Sequence, residues 1–344
     1  MVSIDPGRGL PAHAAWGDVT AAARGASEAW PDGALELARR LGATAAVPGE
    51  GHTHELWGLL VALGAADLAV ARAVEPHLDA LAILRQSGLG DPERGSVWGV
   101  FAAEGRGARL EARRTPQGWR LDGTKPWCSL AGALSHAIVT AHTGEQTRRA
   151  FAVRLDDPGV TVQEAGWHAL GLARIPSGPV EFRGVPAQPV GPDRWYLERP
   201  GFAWGGIGVA AVWHGGTLGV ARRVWNAAVG RAPDQIGLMH LGSADLALGT
   251  SRRALAAAAA AVDGGEAEGT HGAVLALRTR GTVAAAAEAV LAVVDHALGP
   301  APLAFDAEHA QRVADLRLYL RQHHAERDTA ALGRSLLSAG EAPW

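Results

Sequence analysis

The sequence predicts an α+β protein in three parts: an N-terminal helical domain over residues 1–95, a middle β-barrel or sandwich domain over 96–195, and a C-terminal four-helix bundle over 196–344. Three observations predict it. Before residue 90 and after residue 206, apolar residues recur at three- and four-residue spacing, the period of a helix with one buried face. From Ser96 to Pro192 the period shortens, and brief apolar runs alternate with turn residues. No helical stretch separates those runs, so a parallel sheet of βαβ units is not expected.

In the first part, helices are predicted at 34–41, 53–63 and 66–87, with Pro48-Gly49-Glu50-Gly51 as a loop and Gly88, Gly90, Pro92 and Gly95 closing the domain. Strands are predicted at 97–101, 110–115, 119–121, 136–141, 150–155, 160–163 and 180–182, set apart by turns such as Pro116-Gln117-Gly118 and Asp157-Pro158-Gly159. Asp122-Gly123 reads as a tight turn between two short strands. In the last part, four helices are drawn at 206–229, 236–262, 272–298 and 307–336, with Gly230, Gly264-Gly265 and Gly299-Pro300 at the breaks. Gly208, Val212, Gly215 and Gly219 line one face of the first, so a neighbouring helix is expected to approach closely there.

Composition narrows the function. The chain has 344 residues, 48% of them hydrophobic and 19% charged, which is globular. Its 32 basic and 35 acidic residues nearly balance, which argues against nucleic acid or an anionic membrane as the main partner. Cys128 is the single cysteine, so no intrachain disulfide and no cysteine zinc site is expected. Residues 1–17 lack a basic start followed by an apolar run, and the weakly polar stretch 207–221 is broken by His214 and glycines. A cytoplasmic protein without a membrane span is therefore expected. Gly206-Ile207-Gly208 partly mimics a dinucleotide fingerprint, but no strand precedes it. His52-Thr53-His54-Glu55 lacks metal-protease spacing and reads as a loop entering a helix, with Thr53 as cap and Glu55 in the first turn. No metal site is expected.

The most specific segment is Gly118-Trp119-Arg120-Leu121-Asp122-Gly123-Thr124-Lys125-Pro126-Trp127-Cys128-Ser129. Taken by itself it is a hairpin with a buried tryptophan. It also resembles a stretch of the acyl-CoA dehydrogenase superfamily's middle domain, of the form G-x-W-x-L-x-G-x-K-x-W-I-[TS]. Pro48-Gly49-Glu50-Gly51, the run Ala66-Asp67-Leu68-Ala69-Val70-Ala71-Arg72, and the run from Ala169 to Ser177 followed by Val180-Glu181-Phe182 resemble other parts of that family. The resemblance covers roughly residues 25–335 and is sharp only around Trp127. It implies FAD as cofactor, with Trp127 on the isoalloxazine ring and Ser129 near its polar edge. It further implies an acyl-CoA or related acyl substrate, and a homodimer or homotetramer formed through the C-terminal helices.

The departures matter as much. The stretch Ala103-Glu104-Gly105-Arg106-Gly107-Ala108 is shorter than the family's flavin-touching loop, and Ala103 stands where a threonine is usual. The R-x-x-F-G motif survives only as Gly230-Arg231-Ala232-Pro233, which leaves Arg231 as the residue that would reach the flavin of a neighbouring subunit. Gly299-Pro300-Ala301-Pro302 replaces a glycine-rich stretch. The family's catalytic glutamate, counted from Ala314-Asp315-Leu316-Arg317, falls at Gln322-His323-His324, and its alternative position falls near Val209. Val313, Leu316, Tyr319, Leu320, His323, His324 and Arg327 would share one face of a continuous helix. His323 is thus the first candidate base and His324 the second, while Glu326 and Asp328 read as partners of arginines on the solvated face. Two alternatives share the fold: a flavin monooxygenase, and a non-catalytic interaction protein.

Overall fold

A computed structural model describes residues 13–90, 92–163 and 166–340. Helices come first: α1 (His13–Glu28), α2 (Asp32–Gly42), α3 (Thr53–Ala66) and α4 (Leu68–Ser87). Asp67 starts α4 by accepting from the Ala69 and Val70 N–H groups, and Gly88 ends it in the left-handed conformation at φ 74°. The same Asp67 carboxylate receives Ser27 from α1 at 2.6 Å and Arg174 at 2.6 Å. Burial works against its charge, but these bonds hold the carboxyl below its ordinary range. Thr53 is the first helical residue of α3 rather than its cap. Its hydroxyl accepts from Gly49 N–H and donates to Asp263, which also accepts from the Gly51 and Thr53 N–H groups. A carboxylate at the end of a distant helix therefore caps α3.

The middle of the chain forms β1 (Trp98–Phe101), β2 (Leu110–Thr115), β3 (Gly118–Ser129), β4 (His136–His142), β5 (Arg148–Arg154), β6 (Val160–Val162) and β7 (Ser177–Val190). Pairing runs β4–β2–β3–β7–β5 and returns to β4, closing a barrel. Leu121, Cys128, Val139, Phe151, Phe182 and Val185 fill it. The sheet is mixed: β1, and further along β2, pair in parallel with the same edge of β4. The β2–β3 hairpin makes that crossover, so a parallel pairing arises here without any helix. Asp122-Gly123 is not a turn. β3 runs straight through it as a bulge opposite β7, with Gly123 at φ 118°. The Arg109 carbonyl accepts the Thr124 N–H there, and a side chain on Gly123 would collide with that oxygen. The hairpin turn lies instead at Pro116-Gln117.

The chain then returns to helices: α5 (Trp195–Glu198), α6 (Pro200–Gly230), α7 (Gln235–Asp263), α8 (Gly269–Leu298), α9 (Ala301–Phe305), α10 (Ala307–Tyr319) and α11 (Glu326–Ser338). The Gly206-Ile207-Gly208 stretch lies inside α6, with no strand before it. Three long helices match the prediction, but the fourth does not. The segment 307–336 breaks into α10, a 3₁₀ turn (Leu320–Gln322) and α11. Arg280 from α8 donates to the Gln322 carbonyl, and Asp328 accepts the His324 N–H. Those partners satisfy groups that a continuous helix would have paired with itself. By length and composition α8 is apolar enough to cross a membrane. Its apolar stripe, including Val283, Ala287 and Val290, packs against α6 and α7.

The helices on either side of the barrel in sequence meet at α3 and α6. A Cβ on Gly64 would stand 2.5 Å from the Val212 carbonyl oxygen, and one on Gly215 would collide with the Val61 carbonyl. The face predicted for close approach is thus buried at this crossing. Gly215→Ala is expected to lower stability by about 2 kcal/mol or more, since backbone must move. Gly281→Ala, on α8 with nothing within 4 Å of the added methyl, is expected to raise it by about 0.5–1 kcal/mol. Denaturant melts of the two variants check both signs.

Candidate functional site

Two groups of residues meet where the barrel faces the helices. The first lies at the C-terminal end of β3. Trp127 is 57% exposed, uncommon for an indole inside a strand, and adopts φ 60°. Left-handed backbone at a bulky residue costs about 1 kcal/mol. A bulge between Lys125 and Cys128 imposes it. Beneath, Cys128 is buried and its thiol is pushed up to about 12 by desolvation. Ser129 pairs with Ser177 Oγ at 2.8 Å and accepts from Arg72 Nη2 at 3.3 Å.

The only lysine fixes the neighbouring loop. Lys125 Nζ is buried and donates to Glu104 at 2.9 Å and Thr140 at 2.9 Å. Burial opposes the charge on Glu104, but Lys125, His142 and Arg148 around it hold the carboxyl below its ordinary range. Ala103, the preceding residue, is thereby held at the exit of β1, and Gly105 lies against Pro126 and the Trp127 indole. The loop that carries Ala103 is therefore tied through Glu104 and Lys125 to the strand that carries Trp127 and Ser129.

The second group is a buried polar cluster that the sequence reading missed. Helix α4 supplies Arg72, Glu75 and Asp79, α6 Trp213, α8 Arg280, α10 Tyr319, and the segment after the 3₁₀ turn His323. Arg72 Nη1 lies 3.5 Å from Glu75, and its guanidinium stands 6.0 Å from the centre of the Tyr319 ring. Arg280 stacks 4.7 Å over Trp213, whose ring meets Tyr319 and His323 edge-on at 6.4 and 6.2 Å. Desolvation, reinforced by Asp79, raises the Glu75 carboxyl to about 7 against the pull of Arg72 and Arg280. Three polar atoms here are buried without a hydrogen-bond partner: Arg72 Nη1, Trp213 Nε1 and the Tyr319 hydroxyl, which faces Glu75 without closing a well-aligned bond. A signal did exist: Arg72, Glu75 and Asp79, at positions i, i+3 and i+7, put three charges on one face of a largely buried helix.

The histidine pair separates. The break after Tyr319 takes both residues off the helix, so the continuous stripe predicted from 313 to 327 does not form. His323 turns inward against Trp213 with Asp328 at 3.8 Å, and desolvation lowers its pKa. His324 turns to solvent and bonds Asp328 at 3.3 Å. Asp328 thus serves the histidines rather than a surface arginine. Arg231 stands exposed at the C-terminal end of α6, apart from the other candidates. Among the described residues no histidine, cysteine and carboxylate cluster could hold a metal.

Residues 91–185 match the family model of the acyl-CoA dehydrogenase middle domain. Solved structures extend the likeness in fold to nearly the whole chain. KijD3, in complex with FMN and a dTDP-linked amino keto sugar, is 19% identical with a TM-score of 0.77, covering 96% of this chain and 92% of that one. PigA with FAD and proline is 17% identical at a TM-score of 0.76, covering 94% and 97%. Glutaryl-CoA dehydrogenase from Mycobacterium smegmatis is 18% identical at 0.75, covering 94% and 94%. No curated protein matches the chain by sequence. The chain therefore has the acyl-CoA dehydrogenase-like fold, and its central residues 91–185 are similar to that family's middle domain.

The buried carboxyl yields a test. A folded pKa near 7 against an ordinary 4.5 means that the folded protein holds the Glu75 proton more tightly. This contribution is fully present below pH 4.5 and is lost as pH rises through 7, on the order of 3 kcal/mol in all. Glu75→Gln should flatten the fall in melting temperature between pH 5 and pH 8. An unchanged slope would place the titration elsewhere.

Proposed function

We propose that the protein is a flavin-dependent oxidoreductase acting on a small acyl compound, a thioester or a relative of one, with FAD as its flavin. One observation carries the reading: an exposed tryptophan held at positive φ by a bulge, two residues from a serine that is tied to a buried polar cluster. An aromatic face of this kind suits a planar ring system. Ser129 and the Ala103 loop would meet the ring's polar edge, and the Lys125–Glu104 pair would keep that loop in place. Bound there, a flavin supplies a two-electron acceptor for hydrogen removed from the substrate. Names among the similar folds support a flavin of either kind, FMN with KijD3 and FAD with PigA.

His323 is the proposed base. It lies beside Trp213 in the cluster, and its lowered pKa keeps the ring neutral at pH 7, as a proton acceptor must begin. Asp328 at 3.8 Å would steady the imidazolium once formed. His324, facing solvent, serves only to orient Asp328. A second reading, the monooxygenase, is favoured by the lack of a carboxylate at Val209 and at Gln322-His323-His324.

The test starts from the spectrum of the purified chain with FAD. Binding should shift the flavin bands, and Ser129→Ala should weaken it by the loss of one hydrogen bond, about 0.5–1.5 kcal/mol. If FAD changes neither spectrum nor melting temperature, the non-catalytic alternative takes over. Anaerobic bleaching by acyl-CoAs, rising with pH through a value below 6.5 and lost in His323→Ala, would establish dehydrogenation with that base. Oxygen-dependent turnover with reduced flavin, and no bleaching by thioesters, would establish the monooxygenase.

Assembly through the C-terminal helices belongs to the same proposal. Trp225, Val229, Ile236, Leu238, Met239 and Leu246 are more than half exposed around the α6–α7 connection that carries Arg231. So much clustered apolar surface suits a second copy of the chain. Sedimentation should show a dimer or tetramer, and Leu238→Glu with Leu246→Glu should shift it toward monomer.

A further inference from the structure

The charged groups of the cluster come from α4 and α8, and the cluster as a whole is short of acceptors. Arg72 and Trp213 can only donate. Arg280 is partnered by two backbone carbonyls, those of Gly206 and Gln322. Three buried polar atoms, one each from α4, α6 and α10, make no hydrogen bond: Trp213 Nε1 has no acceptor, Arg72 Nη1 reaches Glu75 only as an ion pair at 3.5 Å, and the Tyr319 hydroxyl faces Glu75 without a well-aligned bond. Orphaned buried donors are uncommon in folded proteins because each costs the desolvation of a group that water would have satisfied. Three from separate helices, two of them poorly served by the same Glu75 carboxyl, point to a ligand that supplies acceptor oxygens.

We propose that Arg72, Trp213 and Tyr319 bind the carboxylate of a short organic acid, so that the substrate is a small acid or an acyl compound carrying one, and not a long alkyl chain. This rests on the flavoenzyme reading, because Arg72 is the residue that joins the cluster to Ser129. Charge supports it. Arg72 and Arg280 bring two positive charges to the cluster, and one of its two acids, Glu75, can sit uncharged near neutral pH and donate. Asp79 pairs with Arg199 at 3.7 Å. A hydrocarbon tail, in contrast, would have to lie against Arg72, Glu75 and Arg280 and leave their polar atoms unpaired, which disfavours it strongly.

Calorimetry tests this on the full chain, with and without FAD, using propionate, propionamide and octanoate as probes. Propionate should bind and propionamide should bind markedly less. Tyr319→Phe keeps the ring and Trp213→Phe keeps an aromatic face, and each deletes one donor, so each should weaken propionate about five-fold. Arg72→Gln should weaken it more than ten-fold. Circular dichroism confirms the fold of each variant, and the two aromatic substitutions stand as independent readouts if one fails to fold. Propionate should bind more tightly at pH 6 than at pH 8, with proton uptake, because Glu75 must be neutral beside the anion. The charged and titratable groups facing it are Arg72 and Asp79 on α4, Arg280 on α8 and Tyr319 on α10. Glu75→Gln should remove that pH dependence. Equal affinities in all variants, no binding of propionate, or octanoate binding more tightly than propionate would overturn the proposal. A failure confined to FAD binding would sink the flavoenzyme reading and leave the carboxylate result to stand or fall separately.

Discussion

The glycine crossing of α3 and α6 is the constraint on which the rest depends. Gly64 and Gly215 let two backbones touch where any side chain would push them apart. That contact joins helices that lie before and after the barrel in sequence. It sets the distance between α4, which follows α3 after one residue, and Trp213, which lies on α6 two residues before Gly215. The polar cluster exists only because those two helices are held at one spacing. Rigid small-residue packing and a demanding electrostatic arrangement therefore go together: the cluster's buried charges need fixed partners, and the crossing fixes them.

Electrostatics then divides the chain's ionisable groups by task. Asp67 is a structural anion, kept charged by Ser27, the α4 N-terminus and Arg174. Lys125 and Glu104 form a strut between strand and loop, with the lysine end buried and the carboxylate end partly open. Glu75 is the opposite case. Its nearest cation is 3.5 Å away and desolvation prevails, so it titrates where the others do not. A pair that is well bonded resists pH, and a pair that is poorly bonded responds to it. The contrast separates scaffold from site without reference to any relative.

Much of the fold was legible because periodicity is local. Strand positions, the three long C-terminal helices and the small-residue face of α6 all follow from spacing along the chain. Misreadings came where a distant group intervened. Asp122-Gly123 has the composition of a turn, yet the Arg109 carbonyl from the neighbouring strand holds it extended as a bulge. Residues 307–336 carry no proline, and their one glycine, Gly333, lies far past the break. Arg280 and Asp328 bind the backbone at 322 and 324 and so divide the helix. Thr53 looked like a helix cap, and the cap came instead from Asp263, 210 residues away.

By itself the sequence determined the order of helices and strands and the segment that presents Trp127 and Ser129. It held Arg72, Glu75 and Asp79 in plain view on α4, but a charge on a helix has no meaning until its neighbours are known. Only the tertiary structure decided that Trp213, Arg280, Tyr319 and His323 would gather round them, that His323 would turn inward and His324 outward, and that three buried donors would make no hydrogen bond. The reason is physical: chain periodicity fixes which face a residue takes, whereas desolvation and hydrogen bonding depend on atoms that fold in from hundreds of residues away.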